Sequence, residues 1–412
     1  MAARAETASG VESTYAWLRL LASVLIGTIG GVGMWSVVVV LPAVQAEFGV
    51  DRAGASMPYT ATMMGFAMGG ILMGRLADRR GVVVPVFLGA FALCLGYVAA
   101  ASATSLWQFT LAQGLLIGFL GASSGFGPLI ADVSRWFTRR RGIAVGICAS
   151  GNYLAGTVWP PTIQHFVETV GWRNAYIGVG IFCLVTMIPL ALALRRPPPK
   201  QDEPVAGAAG SAGRFPISNN RLQGLLVIAG LTCCFAMSMP QVHIVAYCGD
   251  LGYGVARGAE MLALMLGCGV ISRLASGWIS DKIGGVRTLL LGATLQGLTL
   301  ALYLPFDGLT SLYIVSALFG LAQGGIVPSY AIIVREYLPA EEAGMRVGIV
   351  LMATIVGMAL GGWMSGFIFD LTGSYRAAFL NGMAWNLVNV AIGCWLLYRR
   401  PQRMAPALQT MA

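Results

Sequence analysis

Arg273 is the one Lys, Arg, Asp or Glu in the interior of any long apolar stretch of this chain. Burying a guanidinium in lipid costs roughly 2.5–3.5 kcal/mol on insertion scales, so a chain that keeps one there puts it to use, and the natural partner of a lone buried cation is an anion. A planar guanidinium holds a carboxylate by two parallel hydrogen bonds and stays charged at any biological pH. Snorkelling to the membrane surface, or bonding to backbone carbonyls, is the structural alternative. His243 is the one side chain in these stretches that titrates near neutral pH, with Tyr247 one turn on and Asp250 at the end of the same run. That set could pass a proton, although a structural histidine bonded to a neighbour explains it as well. Trp35, Phe126, Asn152, Tyr153, Gln323 and Tyr330 lie near the middle or inner half of the first, fourth, fifth and tenth stretches. Such residues suit the wall of a pocket for a small acid; taken singly, each fits packing at least as well. Asn152 and Gln323 rank highest because an unpaired amide in lipid is expensive.

The elements that must position these groups are membrane helices. With 57% apolar and 10% charged side chains, the chain departs far from a soluble domain. The apolar runs have the roughly 20-residue length that crosses a bilayer, without the alternation of a membrane barrel. Spans are expected near 17–43, 54–74, 82–103, 108–131, 142–163, 175–194, 222–248, 259–280, 286–305, 310–334, 345–369 and 376–398. Both termini then share a side. The net charge of +9 reflects topology and does not point to nucleic acid: 21 of the 26 Lys and Arg fall on the side of the termini, and only Arg52, Arg173, Arg257 and Arg376 on the other. The positive-inside rule places both termini in the cytoplasm of a multi-pass protein of the cell membrane. The polar first 16 residues lack the pattern of a removable signal peptide.

Cys94, Cys148, Cys183, Cys233, Cys234, Cys248, Cys268 and Cys394 show no C-x-x-C spacing and read as packing residues, with no metal or disulfide expected. No cofactor is expected, and no nucleophile and base stand at useful spacing, so an enzyme is not expected either. The 55 glycines concentrate inside the spans, where small residues let helices approach closely and slide.

The two halves repeat each other. An offset of about 203 residues pairs Gly74, Asp78, Arg79 and Gly81 of GRLADRRG with Gly277, Asp281, Lys282 and Gly284 of GWISDKIG, and Arg173 and Tyr176 with Arg376 and Phe379; Pro128 and Pro328 match at 200. Each Asp sits at a helix end, where a basic partner or a neighbouring helix N-terminus could latch one conformation. A tight turn at Gly81 and Gly284 is the plainer reading. The expected organisation is an all-α bundle of six helices over 1–195, a flexible linker over 196–221 with three consecutive prolines, and a second six-helix bundle over 222–412. Parallel repeats joined in this way, with the doubled loop motif, resemble the major facilitator superfamily.

A narrower resemblance starts at Trp136. The run WFTRRRGIAVGICASG, Trp136 to Gly151, is similar to the fifth-helix motif of the monocarboxylate transporter family. EFGVDRAGAS and GWRNAY look like loops of its bacterial members, and SRLASGWISDKIGG, Ser272 to Gly285, resembles the eighth helix of monocarboxylate transporters and oxalate/formate exchangers. The resemblance implies that Arg273 binds a substrate carboxylate. Departures are informative. The acidic-Gly-aromatic motif and the lysine of the animal members' first helix are missing between Trp17 and Ala43, and their Asp one turn before the arginine is Gly269 here. The stretch from Gly348 to Gly357 lacks the second cation of oxalate carriers.

Arg273 lies eight residues before Asp281, hence roughly 12 Å deep at about 1.5 Å per residue. Carrying a negative charge inward against an inside-negative potential costs about 2.3 kcal/mol per 100 mV, so uptake favours a cotransported proton. The expected function is alternating-access transport of a small organic anion, a monocarboxylate such as lactate, pyruvate or a related 2-hydroxy or 2-oxo acid, with a proton, by a monomer in the lipid bilayer. Exchange of organic anions, carriage of an aromatic acid and a membrane acid sensor that does not transport are the alternatives.

Overall fold

The structure, a computed structural model, describes residues 11–198, 215–339 and 342–399. Most of the linker expected over 196–221, and the basic residues Arg4, Lys200, Arg214, Arg400 and Arg403, lie outside these. The described residues form twelve helical segments and no strand: α1 Thr14–Phe48, α2 Arg52–Arg80, α3 Val83–Ala101, α4 Leu106–Val133, α5 Arg141–Val170, α6 Trp172–Leu192, α7 Asn219–Asp250, α8 Val255–Ile283, α9 Gly285–Leu302, α10 Leu309–Tyr337, α11 Ala343–Thr372 and α12 Tyr375–Arg399. Ten are apolar enough by length and composition to cross a membrane. The other two, α2 and α5, are as long, at 29 and 30 residues, but carry more Gly, Ser, Thr and charged side chains. The reason lies in where they pack.

Helices α1–α6 pack mainly among themselves, as do α7–α12, and the two sets meet along two seams, α2 on α11 and α5 on α8. Helices α2 and α5 thus face protein on two sides, which relieves them of the need for an all-apolar surface. Backbones approach closely there. A Cβ on Gly156 would stand 2.2 Å from Leu266, and one on Gly366 would stand 2.9 Å from the Arg52 carbonyl.

Three spans are interrupted. Gly31 resets α1, whose first part ends at Gly30. In α4 a π-helical stretch, Ala112–Gly121, and a short 3-10 turn, Ala122–Gly125, precede the final helix Gly127–Val133; in α10 the break falls at Gly324 and Gly325. Both of the later breaks come three residues before the prolines matched by the repeat, Pro128 and Pro328. Gly81 and Gly284, which end α2 and α8, adopt φ of 81° and 83°, a conformation that a Cβ disfavours. The doubled glycine therefore makes the doubled tight turn.

One charged pair departs from expectation. Arg19, counted from sequence among the basic residues on the side of the termini, lies inside α1 at 2% exposure, and Asp132 lies inside α4 at 7%. The interior of the bundle therefore holds a carboxylate, where none was expected.

Candidate functional site

Arg273 stands ten residues before the end of α8 at Ile283, about 15 Å along the helix. Its Nη1 donates to the Ala149 carbonyl of α5 at 3.1 Å, across the seam, and its Nε reaches the Gly324 carbonyl at 3.4 Å. The guanidinium carbon lies 4.1 Å from the centre of the Tyr153 ring, close enough for a cation–π contact. The Gly324 carbonyl is within reach because α10 is broken there. The Tyr153 side chain also lies within hydrogen-bonding reach of the guanidinium, and no carboxylate does among the described residues.

Arg273 is half-buried, and the arginines that are fully buried differ from it in one respect. Arg19 binds Asp132 through Nε at 2.7 Å and Nη2 at 2.9 Å, with Nη1 on the Tyr15 hydroxyl and the Arg196 carbonyl. Arg52 holds both oxygens of Asp250 through Nη2, at 2.9 and 3.1 Å. Arg346 binds Glu342 at 2.7 Å through Nε. Each has a carboxylate. Arg273 has only carbonyls and a ring, so its positive charge is solvated by dipoles and left uncompensated.

Of the residues expected to accompany Arg273, Tyr153 touches it; Asn152 adjoins Tyr153 in α5, with its Oδ1 on the side of Gly31, and Trp35 bonds it from α1. The indole nitrogen of Trp35 donates to the Asn152 carbonyl at 3.2 Å, and the buried Asn152 Oδ1 has no partner among the described residues. The ring of Tyr153 also explains Gly269: a Cβ there would fall 2.4 Å from Tyr153 Cε1. The aromatic ring occupies the space that a side chain at 269 would need. Gln323 precedes Gly324 and accepts from Gln241 of α7 at 2.7 Å, which leaves Gln323 Nε2 and Gln241 Oε1 buried and unpartnered. Sequence reasoning missed Gln241; an amide deep in an apolar run was the available signal.

Two of the expected pocket residues lie elsewhere. The Tyr330 hydroxyl stands 2.9 Å from both the Ala229 carbonyl and Asn389 Oδ1, tying α10 to α7 and α12, and Phe126 packs 6.0 Å from Phe66 at the break in α4. Nor does His243 touch Arg273. Its Nε2 lies 2.8 Å from the Gly362 carbonyl, which can only accept, so Nε2 carries the hydrogen. Nδ1 is buried without a partner. Tyr247 packs its ring against Tyr375 and Phe379, while Asp250 is engaged by Arg52.

The pairing of Arg52 with Asp250 belongs to a clamp at the end of the molecule away from the termini. Asp370 of α11 accepts from the Arg52 and Ala53 amides at 2.9 and 2.7 Å, capping α2, and the Arg52 guanidinium lies 5.0 Å from the Phe369 ring. At the terminal end the seams are open. Gly70 of α2, Gly142 of α5 and Gly348 of α11 have nothing within 4 Å of an added Cβ. Gly70 and Gly142 lie about three turns from the tightly packed Tyr59 and Tyr153, and Gly348 about five turns from Gly366, so each shares a face with its packed counterpart.

The doubled motif shows a matching asymmetry. Asp78 pairs with Arg135 at 3.0 Å within the first six helices, and Lys282 lies 3.6 Å from the Trp278 ring on its own helix. Arg79 and Asp281 make no hydrogen bond or ion pair with described residues, and Gly74 and Gly277 face open space. None of these six residues bridges the seams in this conformation.

Two sets of six helices meeting along two seams are the architecture of a membrane transporter. A family model described as the Major Facilitator Superfamily matches residues 23–309 and 261–411, and the chain belongs to that superfamily. Within it the chain falls in the monocarboxylate transporter-like branch: it is 30% identical over 344 residues to monocarboxylate transporter 13 of Bos taurus, covering 82% of this chain and 78% of that protein. It is also 24% identical over 401 residues to the agnestins efflux protein AgnL12 of Paecilomyces divaricatus, covering 95% and 90%. Among solved structures, a bacterial homolog to the human lysosomal transporter Spinster, in an inward-facing and unoccupied conformation, superposes with a TM-score of 0.72 at 15% identity over 96% of this chain and 99% of that one. That likeness bears on the fold. The chain is a multi-pass transporter and not an enzyme.

Proposed function

We propose that this protein carries a small monocarboxylate, of the 2-hydroxy or 2-oxo acid type, across the cell membrane together with a proton, with both termini in the cytoplasm. The observation that carries the reading is the missing counter-ion of Arg273. Arg19, Arg52 and Arg346 all have carboxylates, whereas the guanidinium at the α5–α8 seam has none among the described residues, so the anion it matches comes from outside the protein. A carboxylate bound to Nη1 and Nη2 replaces the cross-seam bond to the Ala149 carbonyl, frees α8 from α5 and neutralises the site. The loaded carrier then changes conformation at lower electrostatic cost than the empty one. Asn152 and the Gln241–Gln323 pair, with unpartnered polar atoms, are proposed to meet the hydroxyl or keto oxygen.

His243 is the proposed proton site, because Nδ1 is the vacant acceptor and opening of the neighbouring clamp brings it toward water. Its complete burial, and the engagement of Asp250 by Arg52, favour a second reading, exchange of one organic anion for another without a proton. Counterflow in proteoliposomes with a panel of labelled acids, with and without a pH gradient, separates the two. Symport predicts uptake driven by an acid-outside gradient; exchange predicts uptake driven by internal substrate alone. The Arg273→Lys variant, which keeps the charge and loses the planar fork, is expected to lose about tenfold or more of the rate. Undiminished counterflow in that variant would remove the two-point carboxylate contact.

A further inference from the structure

A second cationic site lies away from the seams. At the terminal end of the first six helices, a cavity of about 340 Å³ is bounded by Arg80 and Gly81 after α2, Val83 at the start of α3, Arg135 after α4, and Arg195 and Arg196 after α6. Its two carboxylates are already committed, Asp132 to Arg19 and Asp78 to Arg135. Arg80, Arg195 and Arg196 have no carboxylate partner among the described residues. The Arg196 guanidinium is held 4.7 Å from the Tyr15 ring, and its backbone carbonyl is fixed by Arg19 at 3.1 Å. The wall from Gly81 to Val83 adds the N-terminus of α3, a 19-residue helix with no side-chain cap, so the positive end of its dipole lies at the same space.

We propose that this cavity binds a phosphate group. Three guanidinium groups without a carboxylate and an uncapped helix start supply more donors and more charge than a single carboxylate can use, and they match the several oxygens of a phosphate mono- or diester. Ala77, Val82 and Leu194 supply an apolar side to the cavity. The position at helix ends on the basic face is the depth at which phospholipid headgroups lie, so an anionic lipid headgroup is one source of the phosphate and a soluble phosphate ester the other. Binding there ties the ends of α2, α4 and α6 together around the Asp78–Arg135 pair, away from the seams that move.

The test uses the full-length protein delipidated in a maltoside detergent, which carries no phosphate, and follows its thermal midpoint and ligand occupancy by native mass spectrometry. One arm adds phosphatidylglycerol and the other adds glycerol 3-phosphate. The Arg195→Gln/Arg196→Gln variant is set against Arg221→Gln/Arg399→Gln, which removes the same charge elsewhere on the basic face. A midpoint rise and a bound adduct in either arm, weakened about tenfold or more in the first variant and kept in the second, support the site and identify the source. Absence of binding in both arms, or equal weakening in both variants, would overturn it. If the first variant proves unstable without ligand, the single Arg80→Gln substitution carries the same comparison.

Discussion

Arg19 and Arg273 are both arginines inside the helical bundle, and their surroundings differ in kind. Arg19 is closed off by a two-point carboxylate pair, a hydroxyl, a carbonyl and the Trp136 ring 4.7 Å away, all within the first six helices. Arg273 reaches across the α5–α8 seam to a carbonyl and has no carboxylate among the described residues. The first charge is complete without a ligand and lies within one set of six helices; the second has no carboxylate partner among the described residues and lies where the two sets meet. Burial alone therefore does not set the two apart. The presence of a counter-ion does.

The largest expected effect lies at the closed site. Asp132→Asn leaves the Arg19 guanidinium buried and unpaired, which costs about 3–5 kcal/mol; the apparent melting temperature and folded yield in detergent should fall sharply. Stability equal to the wild type would show that Arg19 and Arg273 are not different in kind. The clamp comes next. Asp250→Asn removes the partner of Arg52, and an effect of about 2 kcal/mol should shift the population toward the form open at the clamp, read as increased cysteine labelling of a probe placed at Tyr59. Unchanged labelling would mean that the pair does not hold the two sets of helices together. His243→Gln is the smallest. It keeps a donor for the Gly362 carbonyl, so transport down a substrate gradient should persist while acceleration by an acid-outside gradient is lost. A retained pH response would take His243 out of the coupling.

Much of this was legible in the sequence. The helices, ten of them apolar enough to cross a membrane, the internal repeat and the tight turns at Gly81 and Gly284 follow from hydropathy, offset and the chemistry of glycine, which are local properties. Arg273 was legible because one charge in a long apolar run has no local excuse. Arg19 and Asp132 were not, since each lies a residue or two from the edge of an apolar run, where solvent is the default reading; only the third dimension shows that α1 and α4 bring them together. Tyr330 illustrates the converse. A polar hydroxyl in an apolar helix looked available, but the Ala229 carbonyl and Asn389 satisfy it. Sequence shows which polar groups are buried, and the packing of distant helices decides which of them remain without a partner.

The most direct test of the central claim is equilibrium binding of labelled pyruvate and lactate to purified wild type and Arg273→Gln, each checked for an unchanged melting temperature. The account predicts saturable binding to the wild type that is lost in the variant, with the fold intact. Binding of equal affinity to both proteins would contradict it.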